Sequence, residues 1–74
     1  MNKQRRSEIQ KAVNDIYDAL ATLECVKDDE ESAFDNMPDS FQCSERGEQM
    51  SENIDTLQEI CETLLDYTTM LEEM

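Results

Sequence analysis

Apolar residues recur with a heptad period in two long segments of this chain, and its only proline lies between them. A spacing that alternates between three and four residues draws a continuous apolar stripe along one side of an α-helix. The sequence therefore predicts two amphipathic helices. The apolar positions are Ile9, Val13, Ile16, Leu20 and Leu23 in the first segment, and Met50, Ile54, Leu57, Cys61, Leu64 and Leu71 in the second.

Turn-forming residues separate the two segments. Pro38 cannot continue a helix without a kink, and the asparagine, aspartates and serine around it favour a turn. We predict a first helix over about residues 5–35, a turn over 36–43 and a second helix over about 44–74, with Ser44 as its N-cap. Two helices of equal length joined by a short turn indicate an all-α fold, an antiparallel coiled-coil-like hairpin that forms a single domain over residues 1–74.

The heptad pattern weakens near the turn. In the first helix it continues through Lys27 and Glu30, so we expect Val26 and Ala33 to replace these charged residues through a local slip in register. Gly47 occupies a core position of the second helix, where a missing side chain lets another backbone approach or lets the helix bend.

Other residues near the turn carry expectations of their own. Phe41 is expected to seal the end of the hairpin, and Arg46 to pair with acids of the first helix. Cys43 and Cys61 fall in core phase, whereas Cys25 falls on the outer face. With three cysteines, an odd number, we expect no required disulfide.

The apolar faces are wider than a two-helix seam needs. Ala12, Tyr17, Ala19 and Val26 widen the first face, and further apolar residues widen the second. A wide apolar face needs another helix to cover it. Since the chain has no third long helix, we predict a homodimer that forms a four-helix bundle. The residues predicted to hold the copies together are Tyr17, Ile60, Leu64, Tyr67 and Leu71.

Acidic residues of the second helix follow the same period on a different side, from Glu45 to Asp66. Like charges at this spacing repel, and exposed helix faces usually mix acids with lysines. The second helix has no lysine, and Arg46 is its only cation. Such a ladder is explained either by a solvated face that keeps a small bundle soluble or by a surface that binds a basic region of another protein, and the lack of lysines is the argument for the second. We call its six central members the acidic ridge: Glu48, Glu52, Asp55, Glu59, Glu62 and Asp66.

The charge balance also excludes classes of function. A net charge of −13 opposes direct binding to nucleic acid or to an anionic membrane. The chain has no histidine and one glycine, so imidazole catalysis and a phosphate-binding loop are not expected, and neither an enzyme nor a cofactor is predicted. The acidic run 28–31 lacks the spacing of a calcium loop, so no metal is expected. The polar start and the odd cysteine count favour a cytoplasmic location.

The turn motif Ala33-Phe34-Asp35-Asn36-Met37-Pro38 and the following Ser44-Glu45-Arg46-Gly47-Glu48 resemble a group of small uncharacterised proteins of phages and prophages. The resemblance covers about residues 28–74. It implies a viral or mobile-element origin and brings no activity or functional residue with it.

Three functional hypotheses follow. The leading one is a non-catalytic, phage-encoded inhibitor or modulator of a host defence or nucleic-acid-binding protein, whose acidic ridge mimics nucleic-acid charge. The alternative is an assembly adaptor that uses the wide apolar face. A third is a small-ligand sponge formed at an oligomer interface. Salt distinguishes the first two, because exposed charges are screened beyond about 8 Å at physiological ionic strength and apolar contacts are not.

Overall fold

The computed structural model describes residues 1–74 and contains three helices and no strands. Helix α1 spans Lys3–Asp35, α2 spans Asp39–Gln42 and α3 spans Glu45–Glu72. Helices α1 and α3 pack along their length as an extended antiparallel hairpin, whose Cα atoms occupy 58 × 15 × 13 Å. The all-helical prediction is confirmed. The turn differs from the prediction in containing the four-residue helix α2.

Side-chain caps fix the start of both long helices. Asn2 Oδ1 accepts a hydrogen bond from the Arg5 backbone N–H at 2.8 Å, so α1 begins two residues before the predicted start. Ser44 Oγ accepts from the Gly47 N–H at 3.2 Å, as expected of the N-cap of α3. Such a cap is worth about 1 kcal/mol, because it pairs a backbone donor that the first turn of a helix leaves free.

The seam between α1 and α3 follows the heptad frame. Val13, Leu20 and Cys61 are its buried hydrophobic residues. Thr68, which the apolar pattern misses, is also fully buried and fills the frame between Leu64 and Leu71. Its hydroxyl donates to the Leu64 carbonyl at 2.6 Å, so its burial leaves no polar atom unpaired.

The predicted slip in register near the turn is wrong. Lys27 and Glu30 keep their heptad positions and are half-buried, whereas Val26 and Ala33 are exposed. Lys27 covers the seam with its aliphatic stem and keeps its ammonium at the edge, where it donates to Gln58 Oε1 at 2.7 Å. A cation can therefore occupy the core position, and the register does not shift.

The turn closes around Gly47, which is buried in the first turn of α3. A Cβ atom at this position would collide with the carbonyl oxygens of Phe41 and Gln42. The missing side chain therefore lets the end of α2 approach α3, the first of the two predicted uses of this glycine. The approach is held by Gln42 Nε2, which donates to the Phe34 carbonyl at 2.9 Å, and by the Ser44 hydroxyl, which donates to the Phe41 carbonyl.

Three predictions for side chains at the turn are wrong. Phe41 is 58% exposed and does not seal the hairpin. Cys43 is exposed and does not face the core. Arg46 forms no ion pair, because the only ion pair of the structure joins Lys27 to Asp28. The cause for the first two is α2: as a separate helix starting after Pro38, it does not continue the heptad phase of α3.

Candidate protein-binding surfaces

The six residues of the acidic ridge all lie exposed on α3. From Glu48 to Asp66 they cover about 27 Å of helix, since an α-helix rises 1.5 Å per residue. Because they alternate by three and four residues, they point to one side of the helix. The structure thus places all the predicted partner-binding residues on one accessible, continuous surface.

No cation of the protein neutralises this surface. The one ion pair, between Lys27 Nζ and Asp28 at 3.8 Å, lies on α1. Within the ridge only Glu62 is held by another side chain, accepting from Gln58 Nε2 at 2.7 Å. Gln58 in turn accepts from Lys27, so a single hydrogen-bonded chain connects α1 to the ridge. The other five carboxylates are free to meet a partner.

A second surface on α3 contains no acid at all. Its residues repeat with the same three–four spacing as the ridge but lie on another side of the helix, and Met74 follows just beyond the helix end: Arg46, Gln49, Asn53, Thr56, Ile60, Thr63, Tyr67 and Met70. Ala33 of α1 and Arg46 line one open hollow of about 430 Å³, so one side of α1 borders this surface. The small residues on that side repeat every seven positions, and on the same three–four ladder they alternate with Asp15, Thr22 and Asp29: Ala12, Ala19, Val26 and Ala33. We call the two sets together the bare flank.

The bare flank exposes several large apolar side chains among its polar residues. Ile60, Tyr67 and Met70 are 44%, 61% and 59% exposed. Ile60 and Tyr67 border a shallow hollow of about 380 Å³ together with Thr63, Leu64 and the ridge residue Glu59. Large exposed side chains gathered on one side, instead of scattered singly, are typical of an interaction surface. The sequence contains a signal for this surface: one three–four ladder of positions on the second helix carries no acid. A search for apolar residues alone does not detect this signal.

The five residues predicted to hold a dimer do not form one face. Ile60 and Tyr67 lie on the bare flank, and Leu64 and Leu71 are half-buried in the seam. Tyr17 lies on the opposite flank of the hairpin, beside Glu72. Residues 67 and 72 of α3 point about 140° apart, because each residue turns the helix by about 100°.

The contact between Tyr17 and Glu72 changes the acidity of the phenol. A hydrogen bond to the Glu72 carboxylate raises the pKa of Tyr17 above 10.0, and partial desolvation and the negative charge of Glu72 act in the same direction. All three favour the neutral phenol. The flank that carries Tyr17 is therefore polar at its edge.

The remaining features add no further site. No group of three histidine, cysteine, aspartate or glutamate side chains is placed to hold a metal ion. Neither long helix contains an apolar stretch able to cross a bilayer. No protein-family model matches this chain, and no curated protein sequence or solved structure matches it either. The acidic ridge and the bare flank are the two surfaces from which a function can be argued.

Proposed function

We propose that this protein is a non-catalytic interaction protein whose acidic ridge binds a basic surface of another protein. The observation that carries the proposal is the ridge itself: six exposed carboxylates over about 27 Å of one helix, with no cation paired to any of them. Repulsion between neighbouring carboxylates costs some folding stability, so the pattern is better explained by a partner that supplies the positive charge.

The spacing of the ridge suggests the chemistry of that partner. One carboxylate per about 5 Å of helix is sparser than the phosphates of one DNA strand, which repeat every 3.4 Å, but the charge is similarly regular and linear. A protein surface that binds a nucleic-acid backbone would accept such a ridge as a mimic. Under the resemblance to phage proteins, the target is a defence or nucleic-acid-binding protein in the cytoplasm of the host, which the ridge inhibits or modulates.

We also propose that the chain acts as a homodimer. The hairpin exposes 5712 Å², whereas a compact monomer of 8.6 kDa exposes about 4,700 Å². Only five of the 74 residues are buried. Covering about 800 Å² per copy, the usual size of a specific interface, would remove most of the excess. A four-helix bundle is the economical way to do so.

The test of the ridge uses two variants with the same change in charge. The ridge variant carries Glu52→Gln, Asp55→Asn, Glu59→Gln and Glu62→Gln. The control carries Glu24→Gln, Asp29→Asn, Glu31→Gln and Asp35→Asn, four exposed acids of α1. Each immobilised protein is incubated with host lysate, and bound proteins are eluted with salt or with duplex DNA.

We expect salt and DNA to release partners from the native protein and from the control, and the ridge variant to capture none of them. Association should slow most, since net charge steers the encounter. Equal capture by the ridge variant and the native protein would refute the proposal.

The second candidate function is the assembly adaptor, and the exposure of Ile60, Tyr67 and Met70 favours it. An adaptor would bind its partner through these apolar side chains, so binding would persist at high salt and would be lost on Ile60→Glu. The ridge variant would bind normally. The same capture experiment therefore separates the two functions.

A further inference from the structure

We propose that the bare flank and the adjacent edge of the acidic ridge together bind one basic amphipathic helix of a partner protein. The partner helix lies in the groove between α1 and α3, along the C-terminal half of α3, with its apolar side in the groove and its cations over the two edges. This binding mode rests on the proposed function of the ridge. It adds the conformation of the partner and a second, apolar surface that the partner contacts.

Acidic and large apolar residues form neighbouring stripes along this half of α3. Each large side chain directly follows a carboxylate in the sequence, and the pairs repeat every seven residues: Glu59-Ile60, Asp66-Tyr67 and Glu73-Met74. All six of these residues are exposed. Nearer the turn the same positions hold Glu45-Arg46 and Glu52-Asn53, so the acidic stripe covers the whole helix but the apolar stripe begins at Ile60.

Two hollows join the stripes in the folded hairpin. Glu59 borders the hollow of about 380 Å³ that Ile60 and Tyr67 also line. Glu73 borders a larger hollow of about 510 Å³, whose other lining residues are Tyr67, Met70, Leu71 and Met74. Each hollow is therefore open to an apolar side chain and has one carboxylate at its edge.

The α1 side of the groove also combines apolar residues with an acid. Ile9 shares a hollow with Leu71, which places Ala12 level with Tyr67 and Ala19 level with Ile60. Asp15 lies between the two alanines on the ladder of this flank and is exposed. The groove thus has alanines along one side, large apolar side chains along the other, and carboxylates on both helices.

The repeat of the stripes matches that of a helix. Seven residues of an α-helix rise about 10.5 Å, so the three acid–apolar pairs follow one another at this interval. A partner helix with a heptad of apolar residues presents its own side chains at the same interval. Lysine and arginine pack their stems along an apolar surface and keep the charge at its edge, where Glu59 and Asp66 lie on one side and Asp15 on the other.

A second copy of this chain does not supply such a helix. Its one group of cations lies in the first turns of α1: Lys3, Arg5, Arg6 and Lys11. The apolar neighbours of these cations, Ile9 and Val13, already pack in the seam of their own copy. Contacts between copies are therefore left to the rest of the hairpin surface, and the groove is assigned to a partner.

Arg5 bounds the site at the open end of the hairpin. It continues the ladder of Ala12 and lies about level with Met74, since its neighbour Arg6 shares a hollow with Met74. A cation of the partner would meet a like charge there. The basic part of the partner helix therefore extends from the level of Asp66 toward the turn.

Three synthetic peptides of about 21 residues, three heptads each, test this binding mode. The first has leucine at the two apolar positions of each heptad and lysine elsewhere. The second has the same composition, scrambled so that the leucines share no face. The third has the pattern of the first with glutamate in place of lysine. Calorimetric titration measures binding to the native chain, and circular dichroism measures the helix that the peptide forms.

We expect the first peptide to bind and become helical, the second to bind about tenfold or more weakly, and the third not to bind, because binding needs the apolar face and the charge together. Equal binding of the two basic peptides would overturn this binding mode and leave the ridge proposal standing, since charge alone would then suffice. Failure of both basic peptides to bind would count against both proposals. An affinity that falls as the concentration of the chain rises would show that a second copy competes for the groove, which would overturn the choice of partner.

Two chain variants test the apolar surface with the first peptide. The flank variant carries Ile60→Ser and Tyr67→Ser, and its control carries Tyr17→Ser and Leu65→Ser on the opposite flank. All four side chains are exposed, so circular dichroism should show a folded hairpin in both variants. We expect the flank variant to lose about tenfold or more in affinity and the control to bind as the native chain does. Native affinity in the flank variant would overturn the proposal.

Two further variants with equal charge test which stripe the cations contact. One carries Glu59→Gln and Asp66→Asn, next to the apolar stripe, and the other carries Glu62→Gln and Asp55→Asn, on the far side of the ridge. We expect the first pair to weaken binding several-fold more than the second. An equal loss in both would mean that the peptide responds to the charge of the whole ridge, and the groove would not be its site.

Discussion

Lys27 reaches across the hairpin and donates from Nζ to Gln58 Oε1 at 2.7 Å, although it occupies a heptad core position of α1. Its side chain is only 18% exposed. Most of its apolar stem is therefore already covered, while its charge must stay at the edge of the seam. Gln58 is exposed, so water can replace the ammonium if the lysine is removed.

Replacing Lys27 by methionine should therefore stabilise the protein. The change keeps the length of the stem and removes a charge from a largely covered position. We expect a gain of about 1 kcal/mol, which raises the melting temperature of a domain of this size by roughly 4–8 °C. Thermal melts followed by circular dichroism measure it. The control Lys11→Met, on an exposed face, should leave the melting temperature unchanged. A lower melting temperature for the Lys27 variant would show that the ammonium contributes net stability.

Replacing Gly47 by alanine should destabilise the hairpin, although alanine is the better helix former by about 1 kcal/mol. The new methyl group would meet the backbone carbonyls of Phe41 and Gln42, which cannot move without opening the turn. We expect a net loss of about 1–2 kcal/mol in the free energy of unfolding by urea. Asn53→Ala, on the exposed side of the same helix, is the matched control and should be neutral or stabilising. Equal behaviour of the two variants would mean that the turn is not tightly packed.

The phenol of Tyr17 should titrate above 10.0 because of Glu72. A raised pKa in the folded state means that folding favours the neutral phenol. The resulting stability is complete below the pKa of the unfolded chain, about 10, and is lost as the pH rises through the folded pKa.

In a Tyr67→Phe background Tyr17 is the only phenol of the chain, and its ultraviolet absorbance reports the titration. Glu72→Ala should lower the pKa of Tyr17 toward 10.0, whereas Glu73→Ala should not. If neither variant changes the titration, Glu72 does not contact the phenol.

The three thiols should react at two different rates. Cys25 and Cys43 are exposed, whereas Cys61 is buried in the seam. An aromatic disulfide reagent should modify the two exposed thiols quickly and the third only as the hairpin opens. Thermal melts with and without reductant should coincide, since all three cysteines are free. Three equal rates would place Cys61 outside the core, and a loss of stability on reduction would indicate a required disulfide.

The sequence predicts much of this fold because one period governs both long helices. The heptad of apolar residues is enough to identify the buried side of α1, including Val13 and Leu20, and the ladder of acids identifies an exposed side of α3. The apolar pattern does not identify Thr68 as a core residue, because threonine is polar. Its burial depends on a hydrogen bond to the backbone of its own helix.

What the sequence does not reveal depends on contacts between elements. The exposure of Phe41 follows from the path of α2, which is set by the close approach at Gly47. The separation of Tyr17 from Tyr67 follows from which edges of the two helices meet. The sequence pattern assigns both tyrosines to one wide apolar face, whereas the folded hairpin places them on opposite sides.

The single short turn also sets the order in which the seam can form. The layers next to α2 join residues close in sequence, whereas the layer of Ile9 and Leu71 joins the two ends of the chain. Loop-closure entropy makes the near layers the least costly to form, and each one shortens the loop for the next. The seam therefore forms progressively, from the turn toward the open end of the hairpin. During synthesis α1 has no seam to pack into until α3 has emerged, so the C-terminal turns of α3 decide when the N-terminal turns of α1 become protected.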